Sequence, residues 1–213
     1  MIELIKNVDL AGIQSALTQN PALANTEIPL DHLGGAAAHP LHRICDGVFH
    51  KVYSDEQGLQ MAELFLAHGA KVDGNEPQKL KDTPLVAAAS LHADQLAFLY
   101  MEAGANLGHQ GCHGGTALHW AAWCGRPELV KKLIEAGAEI NLLCHEFKST
   151  PLFWAVHGLR SEDGKNLDQY KAIVKMLLEA GADQSVPNFE GYLPKQVWER
   201  DEELKGWLKG WLE

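Results

Sequence analysis

Gly114-Gly115-Thr116-Ala117-Leu118-His119-Trp120-Ala121-Ala122 decides the fold when read together with Pro127-Glu128-Leu129-Val130-Lys131-Lys132-Leu133-Ile134 and the closing Gly137-Ala138-Glu139-Ile140-Asn141. Thr116 is a helix start, its hydroxyl suited to an orphan N–H of the first turn. Ala121 and Ala122 are small enough for a neighbouring helix to approach closely. Leu129, Val130, Leu133 and Ile134 recur at i, i+1, i+4 and i+5, one apolar face of a second helix. Gly137 ends that helix, because glycine enters the left-handed region without steric cost. The stretch therefore reads as a short helix, a tight turn, and a second helix closed by glycine.

The same pattern recurs along the chain. His68-Gly69-Ala70, Ala103-Gly104-Ala105, Ala136-Gly137-Ala138 and Ala180-Gly181-Ala182 each close an apolar helical run, and their glycines lie 35, 33 and 44 residues apart. A period near ~33 residues is the mark of stacked helical repeats. Sister starts are Thr83-Pro84-Leu85-Val86-Ala87-Ala88-Ala89 and Thr150-Pro151-Leu152-Phe153-Trp154-Ala155. Pro84 and Pro151 occupy the first helical turn, where a missing N–H costs nothing. His39-Pro40-Leu41-His42 is a looser start, and Gly191-Tyr192-Leu193-Pro194 lacks the threonine. From the leucine of the start to the closing glycine, the second and third copies measure 19 residues, the first and fourth 28 and 29. The surplus is expected between the helices, as surface loops around Val48–Gln57 and Leu159–Asp168.

These residues resemble the ankyrin repeat, whose pattern reads Gly-x-Thr-Pro-Leu-His-x-Ala-Ala, then a second helix, then Gly-Ala-Asp-x-Asn. The resemblance covers nearly the whole chain. It implies an all-α ankyrin-repeat solenoid of stacked helix-turn-helix units with β-turn-like fingers, in one domain over residues 1–213. The expected division is a degenerate N-terminal cap (1–38), repeats at 39–78, 79–111, 112–145 and 146–188, and a C-terminal cap (189–213). The family histidine ties neighbouring loops together by hydrogen bonds, a role that falls to His42 and His119. Partners are expected at the finger tips and on the inner side of the first helices. The tips include Lys79, Leu80, Asp82, Cys112, His113, Gly115, Glu146, Phe147, Ser149, Phe189, Glu190 and Tyr192. The inner positions are Asp46, Ser90, Leu91, Trp123, Cys124 and His157. Trp123, Phe147, Phe189 and Tyr192 suggest an aromatic path, since Trp and Tyr are enriched among interface hot spots. Trp120 and Trp154, 34 residues apart where the family has a buried leucine, are expected in the core.

A formal net charge of −10 argues against a surface that tracks nucleic-acid phosphates and favours a basic or neutral protein partner. No basic n-region with an apolar core opens the chain, and no apolar stretch approaches the ~18 residues of a membrane span. Four cysteines do not make a disulfide framework. A soluble, cytoplasmic chain is expected, without attachment to a membrane. Nucleophile-elbow and phosphate-loop motifs are absent. The expected function is thus a non-catalytic protein-binding module with no cofactor. The alternative is a metal-binding or redox-responsive module: His109, Cys112, His113, Cys144 and His145 map near two finger tips, and zinc takes four such ligands. Trp198, Leu204, Trp207, Leu208, Trp211 and Leu212 recur at helical steps. This tail is expected to cover the end of the core in a monomer, or to join two copies as a dimer.

Overall fold

The computed structural model describes residues 1–29, 37–76, 78–161, 165–199 and Glu202. The chain divides into two compact units, Met1–Gly111 and Cys112–Glu213. The helix expected over Leu204 to Leu212 lies outside the described residues.

The first unit begins with helices α1 (Ile2–Lys6) and α2 (Leu10–Gln19), then a 3-10 turn at Pro21–Asn25 and two short strands. Strand β1 (Ile28–Pro29) pairs antiparallel with β2 (Ala37–Ala38), Ile28 opposite Ala38. Two helix pairs come next: α3 (Pro40–Phe49) with α4 (Asp55–Ala67), and α5 (Pro84–Ser90) with α6 (Asp94–Glu102). Helix α3 packs on α5, and α4 on both α2 and α6. The second unit repeats the plan with α7 (Ala117–Trp123), α8 (Pro127–Glu135), α9 (Pro151–Ser161), α10 (Leu167–Glu179) and the short α11 (Pro194–Trp198). Helix α9 packs against α7, α10 and α11. The architecture is the all-α solenoid that the repeats imply.

Local chemistry sets the helix ends. Thr83 and Thr150 cap α5 and α9, their hydroxyls accepting from the N–H groups of Val86 (3.5 Å) and Phe153 (3.4 Å). In the looser first copy the cap is His39, whose Nδ1 accepts from the Leu41 N–H at 3.4 Å. Thr116 differs from its sisters: its hydroxyl lies 2.9 Å from His119 Nδ1, and its N–H donates to the same nitrogen at 3.1 Å. At the other end of the repeat, Gly137 has φ +87°. Its N–H reaches the Ile134 carbonyl and the Ala138 N–H reaches that of Leu133, both at 3.0 Å. This is the Schellman arrangement, which satisfies the last carbonyls of a helix. Gly69, Gly104 and Gly181 repeat it.

The surplus residues of the long copies are mostly helix, which corrects the expected surface loops. Helices α3 and α9 have 10 and 11 residues against 7 in α5 and α7. Helices α4 and α10 each have 13 against 9 in α6 and α8. Each long copy thus adds about one turn to both of its helices. Buried tyrosines bind the added turns to the core. Tyr53 donates from its hydroxyl to the Ile44 carbonyl at 3.1 Å, and Tyr170 donates to the Trp123 carbonyl at 2.7 Å.

Side chains also tie Gly-Ala turns to an earlier copy. Asn25 Oδ1 accepts from the Lys71 N–H (2.8 Å), Asp73 Oδ1 from that of Asn106 (2.9 Å), and Asn141 Oδ1 from that of Asp183 (2.8 Å). Asn25 and Asn141 donate in return to the carbonyls of Gly69 and Gly181. These bonds satisfy backbone groups that the turns would otherwise leave to water.

Candidate functional site

A cleft of about 390 Å³ opens in the second unit. Helix α7 contributes Trp120 and Trp123, and α9 contributes Phe153, Trp154 and His157. The finger before α9 supplies Phe147 and Ser149, the finger before α11 supplies Asn188, Phe189 and Glu190, and His113 completes the lining. Helical spacing explains the convergence. Residues three or four apart share a face, as do Trp120 with Trp123 and Phe153 with His157.

Trp154 is the hub. It is 4 % exposed, and the rings of Trp120, Trp123 and Phe147 meet it edge-on at centroid distances of 5.1, 5.8 and 6.2 Å. Edge-to-face contacts place the positive rim of one ring on the negative face of the next. Its indole N–H donates to Cys144 Sγ at 3.4 Å. The same sulfur accepts from the Ser149 N–H, and the Cys144 N–H donates to the Ser149 carbonyl. Cys144 is fully buried and serves as the knot of the finger that carries Phe147.

Trp123 is half-buried and stacks on His157, 6.4 Å between centroids and 12° between planes. Its carbonyl is held by the Tyr170 hydroxyl, and Gly158 of α9 lies against the same carbonyl with no room for a Cβ. The extra turns of the long fourth copy therefore buttress the residue that carries this indole. His113 stacks on Phe147 at 5.6 Å and pairs with Glu146 at 2.5 Å. It has φ +56°, a left-handed backbone that costs a non-glycine residue energy. Trp120 is half-buried and not part of the core as expected, because its indole lies along the cleft. Its Nε1 is buried without a partner among the described residues.

The titratable groups are tuned by burial. His119 is pushed down to about 4, mainly by desolvation, with hydrogen bonds to the Ser149 and Leu142 carbonyls opposing it. Since its Nδ1 accepts the Thr116 N–H, the proton sits on Nε2, which donates to the Ser149 carbonyl at 3.1 Å. This is the loop-tying role implied for it. His42 does not repeat it: its Nε2 lies 3.9 Å from Asp46 Oδ1 on its own helix. In that copy His39 makes the distant tie, its Nε2 lying 3.1 Å from Asn25 Oδ1. His157 is lowered by burial first and then by Arg160, against the pull of Glu190.

Five residues expected at a partner surface line the cleft: His113, Trp123, Phe147, His157 and Phe189. The other five do not. Asp46, Ser90 and Leu91 belong to the first unit, where Asp46 lies beside Arg43 and the Ser90 hydroxyl donates to the Ala87 carbonyl. Cys124 caps the end of α7, and Tyr192 bonds back to Asn188 through its N–H and carbonyl. Sequence reasoning missed Phe153 and Asn188. It also gave Trp120 and Trp154 to the core alone, although both line the cleft. A tryptophan at a leucine position, twice, was the available signal.

The cluster considered for metal is dispersed into other bonds. His109 Nε2 contacts the Lys81 carbonyl at 2.7 Å, His113 is paired with Glu146, and Cys144 is the buried acceptor of two N–H groups. Among the described residues, no three His, Cys, Asp or Glu side chains are grouped to hold a metal ion. Nor is any described helix long and apolar enough to cross a membrane.

Comparison with known proteins agrees with this geometry. Residues 49–144 match the family model for ankyrin repeats in three copies. A putative palmitoyltransferase ZDHHC13 from Danio rerio is 30 % identical over 118 residues, 55 % of this chain and 17 % of its own. Palmitoyltransferase AKR1 of Kluyveromyces lactis is 40 % identical over 77 residues, 36 % of this chain and 9 % of its own. The chain thus spans less than a fifth of these relatives. An ankyrin repeat domain from Acinetobacter baumannii AYE superposes with a TM-score of 0.73 at 26 % identity, over 95 % of this chain and 91 % of the other. Likeness in sequence and likeness in backbone meet on the same repeat: the chain is an ankyrin-repeat protein, built on a protein-interaction fold.

Proposed function

We propose that the protein is a non-catalytic module that binds a partner protein through its finger tips and the inner side of its first helices, with the aromatic cleft of the second unit as the centre of contact. The observation that carries this reading is the convergence of Trp123, Phe147 and Phe189 with Trp154 in one cleft. Ligand sites are concave and aromatic, with a few placed polar groups, and Phe189 is 61 % exposed. Buried aromatic anchors carry most of the binding energy of an interface. Two polar side chains of the lining are engaged in structure: the Ser149 hydroxyl donates to the Phe147 carbonyl, and His113 is paired with Glu146. That engagement supports recognition over chemistry. We assign the palmitoyl transfer for which the longer relatives are named to the parts of them that lie outside this likeness.

The acidic chain favours a basic or neutral partner and disfavours nucleic acid. A cytoplasmic monomer fits that reading, and the repeat limits expected from the sequence belong to it, each repeat enclosing one helix pair. The test is affinity capture with wild type and Trp123→Ala in parallel, with Ser90→Ala as the control from the first unit. Loss of a partner with Trp123→Ala alone supports the cleft as the binding surface. Equal recovery by all three proteins overturns it.

A further inference from the structure

The charges around the cleft narrow the range of ligands it accepts. Among the described residues, its lining contains one carboxylate, Glu190, and neither lysine nor arginine. Glu190 is exposed, and its charge reaches His157, where Arg160, outside the lining, acts in the opposite sense. A second carboxylate, Glu146, is held against the lining residue His113. A cation entering the cleft thus meets ring systems and a counter-charge, inside a chain whose net charge is −10. Aromatic faces attract cations through their quadrupole, most strongly where water is excluded.

Hydrogen-bond supply then separates one cation from another. The Ser149 hydroxyl is committed to the Phe147 carbonyl, and Asn188 Oδ1 already accepts from the N–H groups of Glu190 and Tyr192. A lysine ammonium brings three N–H donors and an arginine guanidinium five. Beyond the Glu190 carboxylate and the His157 imidazole, the side chains of the lining offer no uncommitted acceptor, so part of these donors would lose water without replacing it, which is costly. A quaternary ammonium brings none. Its charge is spread over methyl groups that pack against rings, and one carboxylate suffices to balance it.

Resting on the reading of the cleft as a partner-binding surface, we propose that it receives a trimethylated lysine side chain of the partner protein. The quaternary ammonium lies among Trp123, Phe147 and Phe189, with the buried Trp154 as the floor behind them and Glu190 as its counter-charge. The cleft volume of about 390 Å³ admits the methylated head together with part of its methylene stem.

The test titrates the full chain, followed by tryptophan fluorescence, with N-acetyl-trimethyllysine amide, the lysine and arginine analogues, free choline, and the neutral isostere in which carbon replaces the quaternary nitrogen. The trimethylated probe is expected to bind at least about tenfold tighter than each of the others. Glu190→Gln is expected to weaken that probe several-fold and leave the neutral isostere unchanged. Equal binding of the isostere would make the cleft a reader of apolar shape. Equal binding of lysine or arginine would remove the requirement for methylation, and tighter binding of choline would make the occupant a free small molecule. Each of these results overturns the proposal. If no probe binds while Trp123→Ala still loses its partner, the quaternary cation falls and the protein-binding reading stands. If Trp123→Ala keeps every partner, that reading falls by itself.

Discussion

Helices α5 and α7 are built alike and present different chemistry. Both have seven residues, both start after a threonine, and both bury a leucine in the first turn. Counting from that threonine, α5 has Ala87 and Ser90 where α7 has Trp120 and Trp123, and α9 has Trp154 and His157 at the same places. Helix α3, counted from His39, has Arg43 and Asp46 there. The first unit thus fills these two positions with small or charged side chains, and the second fills them with rings. Alanine serves the fold at position 87, where it is fully buried. An indole at this place is therefore a requirement of the cleft and not of the repeat.

The largest effect that breaks this comparison is expected at Trp154. Replacing it by alanine gives α9 the residue that α5 already has, but in a neighbourhood shaped around an indole. Trp120, Trp123 and Phe147 lose the ring they lean on, and Cys144 loses one donor. Truncating a buried tryptophan costs about 3–5 kcal/mol, so the urea midpoint of Trp154→Ala is expected to fall far below that of wild type. A drop under ~1 kcal/mol would mean that the aromatic cluster does not depend on its hub.

The second contrast lies one residue earlier, where α5 has Val86 and α7 has His119. His119 is held neutral, its protonation pushed from 6.5 down to about 4. An unfolded chain binds that proton as pH drops below 6.5 while the folded chain refuses it, so stability declines from about pH 6.5 to 4 and is level above that window. His39 in the first unit is lowered to about 4 as well, by burial and by His42 and Lys71. For His119 the total loss is on the order of 3 kcal/mol. Melting temperature against pH checks it. His119→Asn is expected to reduce the slope between pH 6.5 and 4 even though it is less stable at pH 7.5, and an unchanged slope would assign the acid sensitivity elsewhere.

The features legible in the sequence were those that a single residue dictates locally. Gly69, Gly104, Gly137 and Gly181 had to end helices, because a left-handed glycine after an apolar run satisfies the last carbonyls as no other residue does at so little cost. The hydroxyl cap expected at Thr116 is found at its sister starts Thr83 and Thr150, while the Thr116 hydroxyl itself lies against His119 Nδ1. The surplus in the long copies was legible as length and not as form. No proline stands between Leu41 and Phe49, or between Leu152 and Ser161, to stop a helix. Only the distant bonds of Tyr53 and Tyr170 show why an added turn is stable there. In the cleft, Trp123, Phe147 and Phe189 could be placed from repeat positions alone. The part played by Trp154 and Trp120 could not, because it depends on rings from other elements. Of the five finger residues considered for metal, His109, His113 and Cys144 are claimed by a backbone carbonyl, a carboxylate and an indole that no spacing reveals.

The smallest expected effect concerns the feature that the two units share. Gly137 and Gly104 have φ +87° and +85°, and an added Cβ at either would meet nothing within 4 Å. The cost of a side chain there is therefore backbone strain alone, without a clash. Alanine in the left-handed region costs roughly 1–2 kcal/mol, and a β-branched valine costs more because its two γ carbons crowd the same carbonyl. Gly137→Ala and Gly104→Ala are expected to lower stability by similar amounts, with Gly137→Val below both and Gly137→Asn nearest to wild type. Asparagine enters this region more readily than other side chains do, through its short polar side chain. Denaturation of the four variants decides the matter. If alanine at 137 cost several times more than at 104, the turn after α8 would be constrained by more than its own backbone, and the two units would differ in scaffold as well as in surface.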